Sequence, residues 1–261
     1  MTKLETISHN EKAAYQLADR EQWRDAAKVL LSVARTEPRK IARWLVIAQW
    51  QRQGGDPRAA AKTLNSALNL ITSKRPRLPE DELLAMLVVL TECHLESQNW
   101  EDAITTGREV LECVPHHHYG QELLATALLQ AGELEEAETI MRDLVMQSPR
   151  DPLHRLRLAS LLQLQGKLGE ATREFERIVD LHPDFALLSD AHEALEVLDR
   201  MQTQQVLVLA SEQLGFRRHL ENDIEDALDS LNFHLSESGV DSLKSMIWDG
   251  SFAPETPLRL H

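Results

Sequence analysis

Four prolines set the ruler for this chain. Pro38, Pro115, Pro149 and Pro183 each close an apolar helical pattern, and the last three stand 34 residues apart. Pro38 to Pro115 covers two such periods and nine further residues, and the nine fall at Thr72–Glu80, TSKRPRLPE, which reads as a loop insertion. A fixed period of this length means a stack of supersecondary units, none of which can bury its apolar face alone.

Small residues keep the same beat. Ala14, Ala48, Ala125 and Ala159 share one slot, with Thr91 in the third copy. Ala26, Ala60, Ala103, Ala137 and Ala171 share a second slot. Helices approach closely only where side chains are small, so paired small slots predict tight antiparallel helix pairs. Large residues recur beside them: Ile47, Leu90, Leu124 and Leu158 before the first slot, and Leu30, Leu64, Met141 and Phe175 four residues after the second. The turns agree. Gly54-Gly55 ends one helix, Asp56 can cap the next and Pro57 takes its first position. Asn99-Trp100, Gly132 and Gly166 mark the same point in later copies. Sustained strand alternation with hairpin turns is missing, so the expected class is all-α.

The segment LHRLRLASLLQLQGKLGEATREFERIVDLHP, residues 153–183, resembles the tetratricopeptide repeat: Leu158-Ala159 and Leu162 stand in its first helix, Ala171 and Phe175 in its second, and Pro183 at its end. In-phase copies fall near 7–40, 41–74, 84–117, 118–151 and 152–185, with a degenerate sixth at 186–216 whose small slots hold Glu193 and Gln205. The resemblance implies an α-solenoid, a right-handed superhelix of helix–turn–helix repeats. It covers residues 1–216, with C-terminal capping helices over 217–249 and a flexible tail at 250–261.

Past Gly215 the period is lost. RRHLENDIEDALDSLNFHL puts Leu220, Ile224, Leu228, Leu231 and Leu235 on one stripe, and Glu221, Asp223, Glu225, Asp226 and Asp229 opposite. This reads as one amphipathic helix that covers the exposed flank of the last repeat, or binds a partner through its stripe. Met246, Ile247 and Trp248 form an apolar cluster near the C-terminus. It packs on the preceding helix, or folds back into the groove or docks on a second copy.

The resemblance also implies that the first helix of each pair lines a concave, ligand-bearing face. The inward slots include Leu45, Gln49 and Arg52, then Val88, Glu92, Leu95 and Glu96, then Tyr119, Glu122 and Thr126, then Leu156, Ser160 and Gln163. Half of the twenty inward slots are apolar. That suits an apolar or amphipathic segment with a slightly basic side complementing Glu92, Glu96 and Glu122; tight curvature or dimerisation would bury the same residues. The clamp that some members of the family use for the C-terminal carboxylate of heat-shock chaperones is not expected, because only Arg157 fits its positions.

Chemistry is not expected. Phosphate-cradling glycine loops and the G-x-S-x-G elbow are absent from the sequence. Cys93 and Cys113 make no C-x-x-C, and Cys93 falls on a core-facing slot. His116-His117-His118 cannot close a tetrahedral metal site unaided and reads as a polar inter-helix loop; His192-Glu193 lacks the second histidine of H-E-x-x-H. The expectation is no enzyme, cofactor or metal.

The net charge of −14 hides a division. Residues 1–80 carry 15 Lys+Arg against 8 Asp+Glu, and residues 81–261 carry 13 against 34. The acidic remainder argues against nucleic acid, and Lys74-Arg75-Pro76-Arg77 reads as a solvated loop. MTKLETISHNEK lacks a signal peptide's apolar core, and the longest apolar run, Leu83–Leu90, cannot span a bilayer. A cytoplasmic protein-binding adaptor or scaffold is expected. The alternative is a self-associating structural protein, a homo-oligomer joined head to tail by opposite charges or through the Trp248 segment.

Overall fold

In the computed structural model, five of the seven described residues with positive φ mark a regular turn: Glu21 (59°), Gly55 (77°), Gln98 (58°), Gly132 (83°) and Gly166 (76°). Each stands 34 residues from the next, except that 43 separate Gly55 from Gln98 across the loop insertion. After each, the next backbone N–H donates to the carbonyl five residues back: Gln22 to Leu17, Asp56 to Gln51, Asn99 to His94, Glu133 to Leu128 and Lys167 to Leu162. This is the left-handed helix stop, and it recurs at one position of each of the five in-phase copies.

The structure describes residues 3–72 and 78–248. Its helices are α1 (Lys3–Ala18), α2 (Trp23–Ala34), α3 (Ile41–Gln53), α4 (Pro57–Thr72), α5 (Glu80–Glu96), α6 (Trp100–Cys113), α7 (His118–Ala131), α8 (Leu134–Gln147), α9 (Pro152–Leu164), α10 (Leu168–Asp180), α11 (Phe185–Glu212), α12 (Leu214–Asn222), α13 (Ile224–Ser230) and α14 (Glu237–Trp248). The described residues contain no strand. None of their helices is long and apolar enough to cross a membrane. The basic segment Lys74–Arg77 and the tail at 250–261 lie outside the described residues. Two compact units divide the chain, Met1–Ile140 and Met141–His261.

The small slots explain why the helices pair. Ala14, Ala48, Thr91, Ala125 and Ala159 are completely buried, as are Ala26, Ala60, Ala103, Ala137 and Ala171. Leu30, Leu64, Met141 and Phe175 are buried four residues after the second slot. The third copy has Gly107 there, and Leu124 closes the gap: a Cβ on Gly107 would meet its Cβ at 3.2 Å. Caps follow the turn chemistry. Asp56 Oδ1 accepts from the Ala59 N–H at 2.9 Å, and α4 opens on Pro57. His117 lies in the inter-helix loop, as expected, and there its Nδ1 accepts from the Gly120 N–H at 2.9 Å and caps α7.

In the second unit, residues 186–216 depart from a degenerate helix pair. The turn position is Arg200, and α11 runs straight through it for 28 residues. Leu198, Gln202, Val206 and Ala210 are buried one turn apart, so a continuous stripe replaces the turn. Glu193 and Gln205, in the small slots, are exposed. The expected single helix through 217–235 is also broken, into α12 and α13. Asp223 is extended (φ −149°) and its carboxylate accepts from the Asp226 N–H at 3.0 Å, stopping one helix and capping the next. Leu220, Leu228 and Leu235 of the predicted stripe are buried with Val206, Phe216 and Leu243, while Leu231 is exposed.

The segment between α13 and α14 is tied down by polar groups. The Gln202 side chain accepts from the His234 N–H at 3.0 Å and donates to the His234 carbonyl at 2.8 Å. Its amide also lies 3.0 Å from the Thr172 hydroxyl oxygen. Asp199 accepts from the Ser236 N–H at 2.8 Å and from the Ser236 hydroxyl at 2.5 Å. Ile247 packs on the adjoining apolar cluster, Met246 is exposed, and the Trp248 side chain lies outside the described residues.

Candidate functional site

The first helices of three successive pairs, α3, α5 and α7, are neighbours in the first unit. The 34-residue register gives them equivalent faces, and four of the predicted inward residues meet there. Arg52 near the end of α3 reaches across to α5. Its Nη1 donates to Glu92 at 2.5 Å, its Nη2 to Glu96 at 2.5 Å and its Nε to Glu96 at 3.0 Å. From α7, the Tyr119 hydroxyl donates to the other Glu92 oxygen at 2.7 Å. The fork of the guanidinium suits two carboxylates at once.

The electrostatics follow from that geometry. The Arg52 guanidinium is held more firmly protonated than usual, chiefly by its bonds to Glu96. The Tyr119 phenol is pushed up to about 12, first because it donates to Glu92 and then because it is partly withdrawn from water. Cys93, completely buried between the two glutamates in sequence, is pushed up to about 12 by burial. At neutral pH it is a thiol, and nucleophilic chemistry there is disfavoured.

Around this network Leu45, Val88 and Leu95 are half-buried, and Gln49 is exposed. Glu122 lies 3.3 Å from His118 Nδ1, and the Thr126 hydroxyl donates back to the Glu122 carbonyl at 2.8 Å. Leu156, Ser160 and Gln163 belong to α9 in the second unit. There the Ser160 hydroxyl donates to the Leu156 carbonyl at 2.8 Å.

Arg52 engages both Glu92 and Glu96, two of the three carboxylates expected to face a basic partner, and leaves one negative charge in excess. The surface is a polar network of mixed charge with apolar side chains beside it. Another residue was missed: Tyr15, at the repeat position of Gln49 and Glu92, stands edge-on to Trp50 with ring centroids 5.2 Å apart. Applying the register to the first copy, which the inward list omitted, would have found it.

The tetratricopeptide repeat profile matches residues 94–157 and 128–195. Cellulose synthase 1 operon protein C of Komagataeibacter xylinus is 28% identical over 179 residues. That match covers 66% of this chain, which spans about 12% of that relative's length. Among solved structures, MamA from Desulfovibrio magneticus RS-1, residues 41 to the end, matches at TM-score 0.56 and 15% identity, covering 68% of this chain and 95% of that one. YrrB, a TPR protein with an unusual peptide-binding site, matches at TM-score 0.55 and 12% identity, covering 70% of this chain and 90% of that one. At such identities the structural matches establish the fold alone.

Proposed function

We propose, from the premise that this chain belongs to the tetratricopeptide repeat family, that it is a non-catalytic protein-interaction scaffold and that a partner peptide lies along α3, α5 and α7. One observation carries the reading: Arg52, Glu92, Glu96 and Tyr119, from three helices, join into one hydrogen-bonded surface, and α3 and α5 also carry the half-buried Leu45, Val88 and Leu95. Such a surface offers an amphipathic segment apolar contact on one side and fixed donors and acceptors on the other. Because one guanidinium offsets only one of the two carboxylates, the surface keeps a single negative charge in excess and favours a segment of slight positive charge; apolar side chains supply the affinity and polar bonds fix the register.

The test is selection of peptides from a display library against the whole chain, followed by affinity measurement on variants with unchanged helicity. Leu45→Ser, Val88→Ser and Arg52→Ala should each weaken the selected peptides by about tenfold or more, as loss of a central contact does. Leu156→Ser asks whether α9 takes part. Peptides that bind every α3 and α5 variant as tightly as the parent would move the site elsewhere.

A second reading, self-association, is favoured by the division of charge between residues 1–80 and 81–261. Light scattering at low and high salt separates it: a monomer under both conditions removes it, and an oligomer that dissociates in salt supports it.

A further inference from the structure

The place where the second helix of one pair meets the turn of the next is closed differently along the chain. Between α6 and the start of α8, Arg108 bridges it, its Nη2 donating to Glu136 at 2.7 Å. One period later Arg142 donates to Glu170 at 2.5 Å. On α10 the same position is Glu176, and there the chain fills the place with its own non-helical segment. The Asn232 carbonyl oxygen lies 2.5 Å from where a Gly169 Cβ would stand, His234 pairs with Glu176 at 2.7 Å, and Gln202 bonds both the N–H and the C=O of His234.

On α4 the equivalent residue is Asn65, which carries no charge to bridge to Asp102. The Asp102 carboxylate instead accepts from the Asn99 amide at 2.5 Å and lies 3.9 Å from His94 Nδ1. A groove of about 530 Å³ is left, lined by Arg58, Lys62, Asn65 and Asn69 of α4 and by Ser97 and Asn99 at the α5–α6 turn. Arg58 and Lys62 are exposed, and their side chains make no ion pair among the described residues. His94, in the same lining, is buried and its imidazole is pushed down by that burial, so the groove's positive charge comes from α4.

We propose that this groove docks an extended, acidic segment of a partner protein. In the second unit a non-helical stretch of chain is seated at this repeat position because Gly169 carries no side chain; on α4 the same position is Arg58, so a segment here lies against the side chains of α4 and is held by their charge. Asn65 and Asn69 offer amide donors and acceptors to its main chain, and Arg58 and Lys62 select carboxylates spaced along the segment. The groove uses none of the residues joined by Arg52, so it is a second contact surface on the first unit.

Fluorescence anisotropy of a labelled Glu-Ser-Glu-Ser-Glu-Ser peptide, at low ionic strength on the whole chain, tests this. The acidic peptide binds, a Lys-Ser peptide of equal length does not, and added salt weakens the complex. Arg58→Glu with Lys62→Glu lowers affinity by about tenfold or more, as expected for two lost charge-assisted contacts. Asn65→Arg, which restores the bridge to Asp102, also lowers it, whereas Arg52→Ala leaves it unchanged. Absence of binding, equal binding by the Arg58→Glu/Lys62→Glu variant, or displacement by a thymidine oligonucleotide more effective than unlabelled peptide would overturn the proposal.

Discussion

Gln98 and Arg200 occupy the same repeat position, yet one stands in a turn that ends a helix and the other lies inside an unbroken one. Glycine is not what separates them, since neither residue is glycine. At Gln98 the buried stripe of α5 ends at Thr91, Cys93 and His94, and Trp100 starts a new helix. At Arg200 the stripe continues through Gln202, Val206 and Ala210, which have α12–α14 to pack against. A repeat turn therefore forms where burial ends, and the left-handed residue serves that stop without causing it.

The strongest challenge to the repeat side of this comparison is Ala137→Trp. Ala137 is completely buried, and an indole there should cost about 3 kcal/mol or more by overpacking, measured by urea unfolding. A variant that unfolds at the parent's urea concentration breaks the assignment of small slots. On the α11 side, Gln202→Leu leaves the His234 N–H and C=O without their partner and should cost about 2 kcal/mol. Gln205→Leu, exposed on the same helix, should change stability little, and equal losses would show that the tie to His234 is not what holds α11 in place. The smallest effects bear on the turn itself. Gln98→Gly relieves a side chain held at φ 58° and should stabilise by about 1 kcal/mol. Arg200→Gly sits in an uninterrupted helix and should destabilise by about 1 kcal/mol. The same sign for both substitutions would erase the contrast.

Much of the fold is legible in the sequence because close packing leaves a periodic trace. Alanine at matched slots and a break every 34 residues both survive in a single chain. The straight course of α11 is hidden because a buried position is filled by Gln202, which reads as surface until Thr172 and His234 are seen beside it. The break between α12 and α13 is hidden for a related reason: Asp223 looks like part of an acidic outer face, although its carboxylate caps a helix. At the candidate site the inward positions of Arg52, Glu92, Glu96 and Tyr119 follow from the register. Their pairing does not, because it joins helices 27 to 44 residues apart through side-chain rotamers that no period encodes.

That pairing can be read optically, because it sets the ionisation of Tyr119. The neutral phenol donates to Glu92, so its contribution is complete below its ordinary value near 10 and is lost as pH rises through about 12. Ultraviolet titration of the parent against Tyr119→Phe isolates this group from Tyr15. The expected result is a Tyr119 midpoint near 12 that falls toward 10 in Glu92→Gln; a midpoint near 10 in the parent would mean that α5 and α7 do not present one joined surface.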